Sequence, residues 1–110
     1  MHTLKGLAAV LALACTGAAM AAGPGGYPTK PVTVVVPFAP GGGSDNIARY
    51  VVSRLSERTG ASFIIDNKPG AGTNIGNEFV SRAAADGYTL LFGQVTLAIN
   101  PYVYKALKYN

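Results

Sequence analysis

The chain has 110 residues, 49% hydrophobic and 13% charged, which allows one small folded domain and excludes a disordered polar tail. Nine Lys and Arg against five Asp and Glu give a net +4, but the basic residues are scattered, which suits small anions and excludes a nucleic-acid stripe. The single cysteine and the single histidine are Cys15 and His2, so everything after residue 15 lacks a disulfide, a thiolate site, a Ser-His pair and a histidine metal ligand, which excludes most hydrolase and zinc mechanisms.

In chain order, residues 1–21 read as a secretory signal peptide. Lys5 is its basic start, Leu7 to Ala14 its apolar run and Ala19-Met20-Ala21 its small-x-small cleavage site. The run is too short and alanine-rich to span a bilayer comfortably, which disfavours an uncleaved anchor. Acylation of Cys15 is the lesser reading, because Leu13 stands one place away from where a lipobox needs it. Cleavage after Ala21 would leave an exported chain with eight basic against five acidic residues, a net +3. Residues 22–30 form a glycine- and proline-rich, flexible mature N-terminus. Residues 31–110 carry the fold.

Val32 to Val36 is a continuous apolar, β-branched run, as expected of a strand buried on both faces of a parallel sheet. Pro37 to Gly43 is a loop whose glycines turn the backbone with no Cβ in the way of a ligand. Ser44 is the expected N-cap of a helix to Arg58, with Asp45 in its first turn and Gly60 closing it. Ile47, Val51 and Leu55 fall at i, i+4 and i+8, with Ala48 and Val52 alongside, as one apolar face. Ser62 to Asp66 reads as a second strand and Asn67 to Gly72 as a second loop. Thr73 is the expected cap of a helix to about Ala84, with Ile75, Phe79, Val80 and Ala83 on one face. Asp86-Gly87 is a turn. Tyr88 to Phe92 is a third strand and Gly93 to Ala98 a third loop. Asn100-Pro101 is the expected N-cap and first residue of a short helix. The order β-α-β-α-β-α implies a parallel sheet with right-handed crossovers, and places all three loops on the rim where such sheets bind ligands.

Duller readings compete at each motif. The first loop lacks the Gly-Lys-Ser/Thr of a phosphate loop, and Asn46 occupies the third glycine position of G-x-G-x-x-G. Asp66 does end the second strand about twenty residues past that loop, where a dinucleotide enzyme holds a ribose. That coincidence supports the rival reading, a nucleotide-dependent, Rossmann-like α/β enzyme. Asp45 reads more readily as a helix-dipole and capping feature than as a catalytic acid. Pro40 replaces the histidine of a lipase oxyanion loop, and no G-x-S-x-G follows. Arg49, Arg54, Arg58 and Arg82 read as solvated helix faces, and Tyr102, Tyr104 and Tyr109 as packing.

Several ordered blocks together resemble one family. They are Tyr27-Pro28-x-Lys30-Pro31, V-V-P-F-A-P-G-G-G-S-D from Val35 to Asp45, and D-N-K-P-G-A-G-T-N-I-G from Asp66 to Gly76. A-A-A-D-G-Y-T-L-L from Ala83 to Leu91 and Ala98-Ile99-Asn100-Pro101 with Tyr104-Lys105 complete the set. The pattern resembles the Bug family, the extracytoplasmic solute receptors of tripartite tricarboxylate transporters, from Tyr27 to Asn110. The resemblance implies a type II-like periplasmic binding protein of two α/β lobes, non-enzymatic, without cofactor or metal. It implies a monomer that takes a small carboxylate (a tricarboxylate, dicarboxylate, acidic amino acid or aromatic acid) and delivers it to two membrane subunits. Loop backbone N–H groups, small hydroxyls and bridging waters hold the carboxylate in such receptors. By position the first loop contributes Phe38, as an apolar wall, with Ala39, Gly42, Gly43, Ser44 and Asp45. The second contributes Gly72, Thr73 and Asn74. The third contributes Gly93, Gln94 and Thr96, and Gln94 to Thr96 is expected to set selectivity. Family members are much longer, so the chain is expected to be a truncated first lobe whose three-stranded sheet has an open edge.

Overall fold

The computed structural model describes residues 26–110. The expected signal peptide, with Lys5, Cys15 and the expected cleavage motif, lies outside the described residues. Three parallel strands, β1 (Val32–Val36), β2 (Phe63–Asn67) and β3 (Thr89–Leu91), form a sheet in the order β2-β1-β3. α1 (Gly43–Thr59) joins β1 to β2, α2 (Asn74–Arg82) joins β2 to β3, and α3 (Thr96–Val103) follows β3. A short 3-10 turn, Ala71–Thr73, leads into α2. This is the α/β architecture expected from the alternating pattern.

The register sets Val32 opposite Phe63 and Val36 opposite Asn67 on one side of β1, and Thr33 opposite Thr89 and Val35 opposite Leu91 on the other. β1 is thus bonded along both edges. Val32, Val34, Val35 and Val36 are buried and form most of the core, which is why the run carries no polar alternation. The chain steps from β1 to β2, then crosses back over β1 to β3. With right-handed connections this places α1 and α2 on opposite faces; α1 lies against β2 and β1, α2 against β3 and β1. Tyr88 and Phe92 fall just outside β3, yet Thr33 N–H donates to Tyr88 O and Phe92 N–H to Val35 O, each at 2.9 Å. Gly60 ends α1 in the left-handed region, its N–H bonded to Ser56 O, as its sequence position predicts.

Four expectations change. In α1 the stripe that faces the sheet is Asp45, Ala48 and Val52, whereas Ile47, Val51 and Leu55 are 59%, 41% and 38% exposed. Two short strands accommodate one narrow stripe, and the small Ala48 lets the helix approach. In α2 Ile75 and Phe79 are exposed while Gly76 and Asn77 are buried. The reason is contact distance: a Cβ on Gly76 would lie 2.7 Å from Pro37 Cβ and 3.0 Å from Lys68 O. Only bare backbone lets α2 rest against the exit of β1. α3 begins at Thr96, not at Asn100, so Asn100 and Pro101 lie inside it. Leu97 N–H bonds Gln94 O at 3.0 Å and starts the turn early. Finally, the described part of the lead-in, residues 26–30, is tied down. The Tyr27 ring packs edge-on against Tyr88 with centroids 5.0 Å apart, and Thr29 N–H donates to Tyr88 Oη at 2.9 Å. Among the described residues no helix is long and apolar enough to cross a membrane.

Gly76→Ala is expected to destabilise the chain by about 1–3 kcal/mol, the range for an added methyl with nowhere to go. Gly43→Ala, whose Cβ meets nothing within 4 Å, should change stability far less. Urea unfolding of the two variants side by side checks this.

Candidate functional site

The three loops meet at the carboxyl ends of the strands, where the connection reverses direction at β1; open α/β sheets form their ligand crevices there. The first loop is shaped by Gly41, at φ +86°, a conformation that favours glycine. Gly42 precedes α1 in an extended conformation with no side-chain cap. The first helical hydrogen bond runs from Asn46 N–H to Gly42 O at 3.0 Å. The amides of Gly43, Ser44 and Asp45 therefore precede the ladder and have no intrahelical acceptor. Gly42 and Gly43 are exposed, and open space lies where Gly43 would carry a side chain.

The other two helix starts differ. Asn74 N–H bonds Ala71 O, and Ile75 N–H reaches Gly70 O at 3.5 Å. Leu97 and Ala98 N–H bond Gln94 O and Val95 O at 3.0 Å each. Asn74 and Ile75 in α2, and Leu97 and Ala98 in α3, thus spend their amides inside the protein, whereas α1 offers a run of three.

Two expected caps serve other purposes. Ser44 is the second residue of α1, and its Oγ accepts from Gln94 Nε2 at 2.7 Å, joining first and third loops. Thr73 stands at φ +79° with no cap bond. Its buried Oγ1 pairs with Thr96 Oγ1 at 2.9 Å, joining second and third loops, and accepts from Asn77 Nδ2 at 3.2 Å. The Asn74 carboxamide oxygen accepts from Asn100 Nδ2 at 2.7 Å and from the Tyr109 hydroxyl. Phe38 is half-buried, and its carbonyl accepts from Asn67 Nδ2 at 3.0 Å. Ala39, Gly42, Gly43, Gly72 and Gly93 lie exposed along the rim. The Gly72 carbonyl accepts from Asn100 Nδ2 at 2.8 Å, and a Cβ on Gly72 would collide with the Tyr104 hydroxyl.

Asp45 is 1% exposed. Its carboxylate accepts from Gly41 N–H at 2.9 Å, Arg49 Nε at 2.8 Å and Asn67 Nδ2 at 2.8 Å. Arg49, then Asn67, then the Gly41 amide hold its pKa down to about 2, since hydrogen bonds to the charged form favour ionisation. The side chain is thus committed inside the protein. Asp66, the candidate ribose holder, instead pairs with Lys68 Nζ at 3.3 Å. Among the described residues no cluster of His, Cys, Asp and Glu is placed to hold a metal.

Asn67, Arg49, Asn77, Asn100 and Tyr109 were not among the expected site residues. Arg49 follows Asp45 by four, a helical ion-pair spacing that could have found it. Asn67 ends β2 beside the first loop, but nothing in a linear chain signals that its partners lie 29 and 22 residues back, at Phe38 and Asp45.

Residues 47–110 match the model of the tripartite tricarboxylate transporter family receptor. Over 84 residues, 76% of the chain, it is 38% identical to a UPF0065 protein encoded in the tcbD-tcbE intergenic region of Pseudomonas sp. (strain P51), covering 25% of that protein. The periplasmic binding protein BugD is similar in structure at a TM-score of 0.73 with 40% identity, over 76% of this chain and 28% of BugD. The R. palustris protein Rpa4515, solved with adipate, is similar at a TM-score of 0.72 with 44% identity, over 76% of this chain and 28% of that one. The chain spans about a quarter of the length of the curated relatives it matches.

A depressed carboxyl pKa stabilises the fold fully above the unfolded value and is lost as pH falls through the folded one. Stability should therefore fall between about pH 4 and pH 2 as Asp45, at 3.8 unfolded and about 2 folded, takes up its proton. Asp45→Asn should be less stable at neutral pH and show a flatter acid limb. Urea midpoints measured across that range check both signs.

Proposed function

Because this chain belongs to the tripartite tricarboxylate transporter receptor family, we propose that it is part of an exported, non-enzymatic receptor for a small carboxylate. Residues 1–21 are the signal peptide, 22–30 the lead-in, and 31–110 part of the first lobe. The observation that carries this reading is the run of free amides at Gly43, Ser44 and Asp45, ahead of a 17-residue helix. Such a run, together with the helix dipole, grips an anion without a dedicated cation. The glycines at 42 and 43 keep side chains away from that approach.

In this reading one carboxylate of the ligand lies over the α1 amides. The Ser44–Gln94 pair beside it supplies a hydroxyl and a carboxamide, and Phe38 an apolar wall. Asn74, the Thr73–Thr96 pair and the exposed backbone of Ala39, Gly72 and Gly93 line the rest of the rim. Bridging waters adapt this surface to acids of different length, and Gln94 to Thr96 tune the choice among them. The adipate in the similar Rpa4515 structure supports a dicarboxylate. The full receptor closes a second lobe over the ligand as a monomer, then hands it to the membrane subunits of a tripartite transporter.

Titrating the 15N-labelled chain with adipate should shift the amide resonances of Gly43, Ser44 and Asp45, while uncharged adipamide should leave them in place. Gly43→Val, which fills the open approach without touching the core, should weaken the response at least about tenfold. Shifts produced by NAD and not by adipate would overturn the receptor reading in favour of a nucleotide site.

A further inference from the structure

We propose that Asp45, Arg49 and Asn67 are positioning residues that keep a resident carboxylate from occupying the anion position, a role that rests on the receptor reading above. The three side chains close a circuit. Asn67 Nδ2 donates to Asp45 Oδ1 at 2.8 Å, Arg49 Nε donates to Asp45 Oδ2 at 2.8 Å, and Arg49 Nη2 donates to Asn67 Oδ1 at 3.2 Å. Asn67 Nδ2 also holds Phe38 O at 3.0 Å, and Asp45 Oδ2 also takes the Gly41 N–H at 2.9 Å. One asparagine amide group thus anchors both the loop carbonyl and the carboxylate, while its own oxygen anchors the arginine.

The need for such an anchor follows from where Asp45 sits. It is the third residue of α1, within the same turn as the free amides. A carboxylate there is drawn to those amides by the dipole, as capping side chains are. Being tethered, it competes at an effective concentration on the order of millimolar or more, and its charge opposes any incoming anion. The circuit removes both effects. Asn67, from the end of β2, and Arg49, from one turn along α1, pull the two oxygens away from the rim, and the guanidinium offsets the charge. The end of β2 therefore controls, through Asn67, whether the first loop is open to ligand.

The test is the adipate titration of the full chain, read at the amides of Gly43 and Ser44. Wild type is compared with Asn67→Ala and with Asn67→Ala/Asp45→Asn. The resonances of β1 residues report that the fold is kept. Asn67→Ala should weaken adipate on the order of tenfold, and adding Asp45→Asn should recover most of that loss, because the competing charge is gone. Wild-type affinity in Asn67→Ala overturns the proposal. So does a loss that Asp45→Asn fails to relieve, which would mean that the loop merely collapses. Should Asn67→Ala not fold, Arg49→Gln with and without Asp45→Asn faces the same two outcomes. A wild-type chain whose Gly43 and Ser44 amides ignore adipate overturns the receptor reading, and this role with it.

Discussion

The central strand Val32 to Val36, paired with β2 along its whole length and with β3 from Thr33 to Val35, decides where the rest of the chain goes. A strand paired in parallel on each side needs long connections, and both connections here return over the sheet as helices. Every turn that leaves a strand then emerges at the same end. The central position of β1 also forces the reversal of direction between α1 and α2. The crevice at that reversal is a consequence of strand pairing, not of any residue that lines it.

The rim is built by polar side chains that join one loop to the next. Ser44 and Gln94 connect the first loop to the third, Thr73 and Thr96 the second to the third, and Asn67 ties the end of β2 to the first. Buried polar atoms must find partners, and here they find them across elements far apart in sequence. Asn77 and Asn100 are buried at the base of the same network, with Tyr109 closing it. Carbonyls engage the amides of Asn74 and Ile75 in α2 and of Leu97 and Ala98 in α3, so α1 keeps the longest run of free amides among the described helix starts. In the proposed receptor such a site would be selective through what is withheld from it: side chains at Gly42 and Gly43, and the carboxylate of Asp45.

Most of the architecture was legible in the chain. The unbroken valine run, Gly60 after a helix-length segment and the alternation of strand and helix each have a local physical cause. The helix faces were less legible. Apolar spacing picked out Ile47, Val51 and Leu55, yet the sheet received Asp45, Ala48 and Val52. Periodicity counts apolar area, whereas close approach to a narrow sheet rewards small side chains and a satisfied carboxylate. Ser44, Thr73 and Asn100 were read as caps because their side chains suit that task locally; each instead bonds to a distant loop. Local propensity competes with long-range partners, and the partners win where burial leaves a polar atom no water.

The amino-acid sequence alone determined the family, the order of elements and the glycine loops that face the rim, because these rest on residue identity and short-range backbone preference. Only the tertiary structure decided which helix keeps its amides free, which hydroxyls pair across loops, and that Asp45 is turned inward by Arg49 and Asn67. Those outcomes depend on which atoms come within about 3 Å of one another, and the sheet register, not the neighbouring sequence, sets that distance.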